Sequence, residues 1–148
     1  MSAAAPPAPD ARAEPNRTLV ILALGALAYT LAQTMIVPAL PAIQRELDTT
    51  AASVTWLLTA FLIAASVTTP LMGRLGDMYG KERLLLIALL LFGAGNLIAA
   101  FGHSLGVYIA GRAVQGAGGA ILPLAIGIIR DEFPRERVAT SIGTISAM

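Results

Sequence analysis

The sequence predicts an all-α membrane protein whose N-terminus lies in the cytoplasm, and three observations lead to this fold class. Hydrophobic residues make up 56% of the 148 residues and charged residues only 13%, with a mean hydropathy of +0.73. Long stretches of the chain carry no charge, and the Lys and Arg residues are clustered between them. A water-soluble domain with so few charges would expose a large apolar surface, so lipid is the expected solvent.

The first sixteen residues differ in composition from the rest of the chain. They are small, polar and rich in proline, and we expect residues 1–16 to form a disordered cytoplasmic tail. A secretory signal is not predicted. No basic residue stands at the start, and the apolar run that follows is too long for a signal peptide.

The uncharged runs are long enough for four membrane spans. Thr18–Gln44 and Thr49–Gly73 contain 27 and 25 residues without a charge, whereas a helix needs only about 20 residues to cross the hydrocarbon core. Leu84–Ile129 carries one charge, and as a single helix it would extend about 69 Å, more than twice the core thickness. It must therefore turn, and Gly102–Ser104 is its polar, flexible break. The predicted spans are 18–43, 50–73, 84–102 and 105–129.

A fifth apolar segment is predicted over residues 138–148. It is too short to cross the membrane, because eleven residues of helix extend only about 16 Å. We therefore expect residues 17–148 to be an incomplete N-terminal transmembrane domain that lacks C-terminal helices of the same protein. The alternative is that this segment lies at the membrane interface or caps a lumen.

The basic residues predict the orientation. Eight of the ten Lys and Arg residues fall in the tail and in the connections after the second and fourth spans. Arg45 alone falls on the other side, and Arg112 lies within the fourth span. Because cytoplasmic loops are enriched in Lys and Arg, the tail and these two connections are predicted to be cytoplasmic.

Several functional classes find no support in the composition. The chain has no Cys and a single His, which removes cysteine nucleophiles and leaves almost nothing for a metal centre. No basic surface for nucleic acid is visible, and no constellation of catalytic residues is present. We therefore predict neither an enzyme nor a protein with a bound cofactor.

One motif lies between the second and third predicted spans, at Gly73–Arg83. Its glycines allow close backbone approach and positive φ. Asp77 is placed to interact with a helix N-terminus or with Lys81 and Arg83. A generic basic turn on the cytoplasmic side is the alternative interpretation.

A second motif lies in the fourth span and begins at Arg112. On a helix, Arg112, Gln115, Gly116 and Gly119 share one face, and small residues there permit close packing of another helix. An arginine at this depth costs about 2.5–3.5 kcal/mol on insertion scales, so it should face a wet cavity or a partner. The alternative is that its side chain extends to the outer interface.

The two motifs resemble signatures of the major facilitator superfamily. The first resembles the pattern between the second and third helices of that family, and the second resembles a pattern in the fourth helix. Trp56–Leu62 looks like the start of the second helix in the branch of drug:proton antiporters with fourteen spans, and Asp131–Pro134 looks like the family's exit from the fourth helix. The first motif is matched at Gly73, Leu75, Asp77, Gly80, Lys81 and Arg83.

This resemblance implies a transmembrane secondary transporter of the cell membrane that exports small molecules by alternating access. In relatives, a cytoplasmic charge cluster forms at positions that correspond to Asp77, to Lys81 or Arg83, and to Asp131. The antiporter branch commonly has an acid in the first helix, where this chain has Ala32. Proton relays use a titratable group within the membrane, and this departure removes one from the first helix. Coupling to a proton gradient is therefore possible only for the full-length protein, with the carboxylate in the missing part.

Polar residues of the first two spans are candidates for a substrate cavity, namely Tyr29, Gln33, Thr34 and Thr59. The expected partners are the lipid bilayer, a small-molecule substrate and the missing helices. Two alternatives to a transporter segment remain. One is a truncated, non-transporting membrane protein that acts as a partner or folding module, and the other is a small four-helix exporter that dimerises.

Overall fold

The computed structural model describes residues 15–147, and every regular element in that part of the chain is an α-helix. The predicted tail therefore lies outside the described residues except for Pro15 and Asn16, which begin the first helix, and Met148 lies outside them as well. The helices are α1 (Pro15–Glu46), α2 (Ala51–Tyr79), α3 (Lys81–Ala100), α4 (Leu105–Ala117), α5 (Ile121–Glu132) and α6 (Arg135–Ser146).

Four stretches of the described chain are long and apolar enough to cross a membrane. The first three are the apolar part of α1, the whole of α2 and the whole of α3, and the fourth combines α4 and α5. Their bounds are Thr18–Glu46, Ala51–Tyr79, Lys81–Ala100 and Leu105–Glu132. Each stretch is helical because a helix satisfies its own backbone hydrogen bonds, which lipid cannot do.

The connection from α1 to α2 is a short turn with a side-chain cap. Asp48 takes a positive φ of 45°, and Thr50 follows as the N-cap of α2. The Thr50 hydroxyl accepts a hydrogen bond from the Ser53 backbone N–H at 3.2 Å. This cap satisfies one of the backbone donors that have no partner within the helix.

The connection from α2 to α3 consists of one residue, Gly80. Its φ of 99° lies in a region that L side chains rarely adopt, so glycine is required for this sharp reversal. The sequence-based prediction of a loop over Gly73–Arg83 was therefore wrong. Asp77 lies in the last turn of α2, and Lys81 begins α3.

The fourth span is broken into α4 and α5, whereas the sequence predicted one helix over 105–129. At the break, the Gly118 and Gly119 amides donate to carbonyls three residues earlier, at 3.0 and 2.8 Å. Hydrogen bonds to the third residue back are those of a 3₁₀ turn, which is tighter than an α-helix. Glycine favours such a break because it is a poor helix former. Gly118 also packs closely on α3, since a Cβ on it would lie 2.6 Å from the Ala88 carbonyl oxygen.

Helix α6 begins at Arg135, three residues before the predicted start of the fifth segment. Pro134 ends the turn after α5, and its carbonyl oxygen accepts hydrogen bonds from the Arg137 and Val138 amides at 2.8 and 3.2 Å. The charged residues 135–137 thus form the first turn of α6. Proline suits the position before a helix because it needs no hydrogen bond to its nitrogen.

The broken fourth span lies at the centre of the bundle. In its most apolar stretch 61% of the residues are buried, compared with 17% in each of the first two spans. Glycines let its neighbours approach closely. A Cβ on Gly116 would collide with the Phe61 carbonyl oxygen of α2. A Cβ on Gly95 of α3 would lie 2.6 Å from the backbone nitrogen of Gln115 in α4. The residues of α4 are therefore held in a fixed register between α2 and α3.

Candidate functional site

Arg112 is buried inside the bundle, with 4% of its surface exposed. It lies on α4 about two turns from the start of that helix. The close packing of Gly116 on α2 directs the same face of α4 toward the other helices. The guanidinium therefore remains within the protein and does not extend to the outer interface.

Hydrogen bonds from Arg112 connect three helices. Its Nη2 donates to Gln33 Oε1 of α1 at 3.1 Å, and its Nε donates to the Leu57 carbonyl oxygen of α2 at 3.4 Å. Its Nη1 donates to Gln115 Oε1, one turn further along α4. The acceptors are neutral amide and carbonyl oxygens, so they solvate the guanidinium without neutralising it.

The hydrogen-bond network continues from Gln115 into α3. Gln115 is also 4% exposed, and its Nε2 donates to Asn96 Oδ1 at 3.0 Å. Asn96 Nδ2 donates in turn to the Phe92 carbonyl oxygen at 2.8 Å. Through these bonds, side-chain amides of α1, α3 and α4 fix the position of Arg112.

Aromatic rings complete the surroundings of the guanidinium. Arg112 Cζ lies 4.6 Å from the centroid of the Phe61 ring, a distance suited to a cation–π interaction. The Tyr29 ring lies 6.4 Å from the Phe61 ring and 5.5 Å from the Phe92 ring, centroid to centroid. Tyr29 thus packs beside the Phe61 ring that contacts the Arg112 guanidinium.

A cavity of about 340 Å³ lies beside this network. Arg112, Gln115, Asn96 and Tyr108 form its polar part. The rest of the wall is apolar and comes mainly from α1. It contains Ala32, Met35, Ile36, Ala39, Ile43, Leu57 and Ala99.

None of the four polar residues predicted for a substrate cavity lines this one. Gln33 contacts Arg112, and Tyr29 packs behind it. The hydroxyls of Thr34 and Thr59 donate to carbonyl oxygens four residues earlier in their own helices. A polar side chain on a helix often satisfies itself locally in this way. A substrate cavity at these four residues stays a prediction.

Gly116 and Gly119 of the second motif are packing residues in this structure. A Cβ on Gly119 would lie 3.0 Å from the Ala65 Cβ of α2. The Thr68 hydroxyl donates to the Gly116 carbonyl oxygen at 3.2 Å, a contact that the sequence analysis missed. Phe61 was also not predicted from the sequence, because only the rotation of α2 places it next to Arg112. Tyr108 lies one turn before Arg112 on the same face of α4, so this spacing could have identified it.

The first motif forms a charge cluster at one end of the bundle. Lys81 Nζ lies 2.7 Å from Asp131 Oδ2 of α5 and 3.3 Å from Asp77 Oδ1 of α2. Arg83 is exposed and makes no ion pair among the described residues, so Lys81 is the basic member of the cluster. We call this set of three residues, Asp77, Lys81 and Asp131, the charge cluster.

The remaining members of the first motif differ in their surroundings. The Lys81 stem packs against two glycines, because a Cβ on Gly76 would lie 3.4 Å from Lys81 Cγ and one on Gly127 would lie 3.0 Å from Lys81 Cδ. A Cβ on Gly73 would meet no described atom within 4 Å, so the close approach expected there was wrong. Leu75 packs against the edge of the hydrophobic core.

Comparison with known families identifies the chain. The sequence model of the Major Facilitator Superfamily matches residues 22–148, which is most of the chain. The chain belongs to this superfamily. Its members are membrane transporters and not enzymes. The described helices correspond to the N-terminal region of the superfamily fold.

Curated relatives within the superfamily are described as transporters and exporters. The chain is 42% identical over 118 residues to an MFS-type transporter of Aspergillus terreus, covering 78% of this chain and 21% of the relative. It is 37% identical over 131 residues to the efflux pump dotC of Dothistroma septosporum, covering 88% and 22%. It is 31% identical over 143 residues to the tetracenomycin C resistance and export protein of Streptomyces glaucescens, covering 96% and 27%. The chain thus spans about a quarter of the length of these relatives.

Proposed function

We propose that this chain is the N-terminal segment of a secondary transporter that exports small molecules from the cell. We further propose that the protein lies in the cell membrane and that it belongs to the fourteen-span branch of drug:proton antiporters. The names of an efflux pump and an export protein among the relatives support the direction of transport. Trp56–Leu62, which resembles the start of the second helix in that branch, supports the assignment to it.

The observation that carries the proposal is the buried arginine beside a cavity. Arg112 is held by Gln33 and Gln115 and faces a space of about 340 Å³ between apolar helices. A buried charge in a membrane helix is costly, and it is typical of a substrate or ion pathway. In many transporters the substrate site lies near the middle of the membrane at the interface between repeats.

The charge cluster is proposed to stabilise one state of the transport cycle. Lys81 begins α3, and Asp131 and Asp77 lie in the last turns of α5 and α2. Each charge has the unfavourable sign for its own helix end, because helix N-termini favour anions and C-termini favour cations. The Lys81–Asp131 pair compensates this only while α5 remains docked on the α2–α3 corner. Separation of α5 from this corner during alternating access would therefore break that pair.

The test is transport by the full-length protein in inverted membrane vesicles. We expect energised vesicles to accumulate at least one compound from a panel of cationic, neutral and anionic fluorescent dyes, and an uncoupler to abolish the accumulation. The Arg112→Ala variant should lose transport, while Arg74→Ala, outside the cavity, should retain it. Absence of uptake across a panel of cationic, neutral and anionic dyes would contradict the proposal, as would full transport by Arg112→Ala.

A further inference from the structure

The positive charge of Arg112 has no carboxylate partner in the membrane part of this chain. All nine acidic residues lie outside the four predicted spans. The acceptors around the guanidinium are neutral amide and carbonyl oxygens. Among the described residues, no carboxylate therefore compensates the charge. The acidic residues are Asp10, Glu14, Glu46, Asp48, Asp77, Glu82, Asp131, Glu132 and Glu136.

The guanidinium also keeps free hydrogen-bonding capacity. It has five N–H donors, of which three point to Gln33, Leu57 and Gln115. Two N–H groups thus have no acceptor among the described residues. Since Arg112 lines the cavity, a ligand oxygen can reach these donors from that side. Paired N–H groups of a guanidinium match the two oxygens of a carboxylate.

The walls of the cavity indicate the rest of the ligand. Asn96, Gln115 and Tyr108 flank Arg112 and supply further polar groups at the same end. Met35 and Ile36 lie on the apolar wall that α1 contributes. A ligand that fits both parts has a compact anionic head and an apolar body.

We propose that the cavity binds an organic anion, with its carboxylate on Arg112 and its apolar body against α1. This inference rests on the proposed transport function and deepens it by naming the substrate class. Because Arg112 is already desolvated in the folded protein, an anion that enters the cavity gains the ion pair against its own desolvation cost alone. Gln33 and Gln115 act as positioning residues that hold the guanidinium toward the cavity.

A matched pair of ligands tests the charge requirement. We would measure binding of radiolabelled 2-naphthoate and 2-naphthamide to the full-length transporter in nanodiscs, because the two differ chiefly in charge. We expect 2-naphthoate to bind at least about tenfold more tightly, as expected for a hydrogen-bonded ion pair. The Arg112→Gln variant should lose this preference, and Arg112→Lys should retain part of it. Equal binding of both ligands would overturn the proposal.

A second variant tests the inference without removing the arginine. Gln33→Glu places a carboxylate where an amide oxygen now lies 3.1 Å from Arg112 Nη2. The new ion pair should compensate the charge within the protein, so we expect the affinity for 2-naphthoate to fall about tenfold. Gln44→Glu adds the same charge to the same helix at a residue that does not hydrogen-bond Arg112, and it should leave binding unchanged. Unaltered affinity in Gln33→Glu would overturn the proposal.

These binding measurements separate the inference from the proposed function. Equilibrium binding in nanodiscs requires no transport cycle. Anion binding that depends on Arg112, in a protein that moves no compound across vesicles, would contradict the transport function alone. Export of cationic or neutral compounds, with no difference between 2-naphthoate and 2-naphthamide, would overturn the anion site alone. A carboxylate supplied to Arg112 by other helices of the full-length protein would give this second result.

Discussion

Lys81 Nζ lies 2.7 Å from Asp131 Oδ2, and this ion pair joins the first residue of α3 to the last turn of α5. The two residues are fifty positions apart in the chain. Both side chains are partly exposed, so the pair itself is worth only about 0–1 kcal/mol. The pair matters because it joins α3 to α5, two helices that separate during transport in the proposed function.

Neutralising Asp131 should slow transport more than it weakens substrate binding. In Asp131→Asn, Lys81 loses its shorter ion pair, and the docked state loses about 0.3–1 kcal/mol. We expect turnover to fall about two- to fivefold with KM nearly unchanged. Asp77→Asn should have a smaller effect, because Asp77 Oδ1 lies farther from Lys81 Nζ, at 3.3 Å. The measurement is initial transport rate against substrate concentration. Glu136→Gln serves as a control, and a change in KM alone would argue against a conformational role.

A methyl group at Gly116 should destabilise the bundle. In Gly116→Ala the new Cβ collides with the Phe61 carbonyl oxygen and lies 2.9 Å from the Ala64 Cβ, so α4 must move away from α2. Overpacking of this kind costs about 1–3 kcal/mol. Thermal unfolding in detergent measures the effect. Gly93→Ala is the matched control, because its Cβ meets no described atom within 4 Å. Equal stability of the two variants would show that α2 and α4 do not pack as described.

Alanine at Gly80 should destabilise the reversal between α2 and α3. The φ of 99° is strained for any L side chain although no atom crowds the site, so the cost comes from the backbone alone. We expect a loss of about 1–3 kcal/mol in the free energy of unfolding. Gly106→Ala is a suitable control, since that glycine has ordinary φ and open surroundings. If Gly80→Ala unfolds like the unmodified protein, the connection is longer than one residue.

Removal of the Asn96 side chain should make the position of the Arg112 guanidinium less fixed, because Asn96 holds Gln115 and Gln115 accepts a hydrogen bond from Arg112. Asn96→Ala deletes the acceptor of the 3.0 Å hydrogen bond from Gln115, and such bonds in membrane proteins are worth about 0.6 kcal/mol on average. We expect a small loss of stability with a clear reduction in transport rate. Thr55→Ala removes a hydroxyl that bonds only to its own helix, at Ala51, and should change neither quantity. Identical transport in both variants would mean that the amide network does not position Arg112.

The sequence predicted the helical class and the number of spans, because both depend on the length of uncharged runs. It did not predict the break in the fourth span. Gly118 and Gly119 are tolerated within many membrane helices, and here close packing on α3 accompanies the change. The end of the second span was also misplaced. Charged residues suggested a loop, whereas Asp77 and Lys81 lie on helices joined by Gly80 alone.

The candidate site was predictable in part. The cost of burying Arg112 and the spacing of Gln115 identified one helix face, since both follow from the chain itself. The contact with Gln33 requires the rotation of α1 relative to α4, which depends on packing between distant segments. For the same reason the sequence left Lys81 and Arg83 as equal candidates for the basic member of the charge cluster.

The most direct test of the account is the membrane topology of the full-length protein. In a full-length protein from which any other cysteines have been removed, single cysteines at Arg83, Arg135, Asp48 and His103 can be labelled in intact cells with a membrane-impermeant maleimide. We predict that Asp48→Cys and His103→Cys react from outside, and that Arg83→Cys and Arg135→Cys react only after the cells are permeabilised. Labelling of positions 83 and 135 from opposite sides of the membrane would contradict the account, since the charge cluster and the central position of Arg112 both depend on this topology.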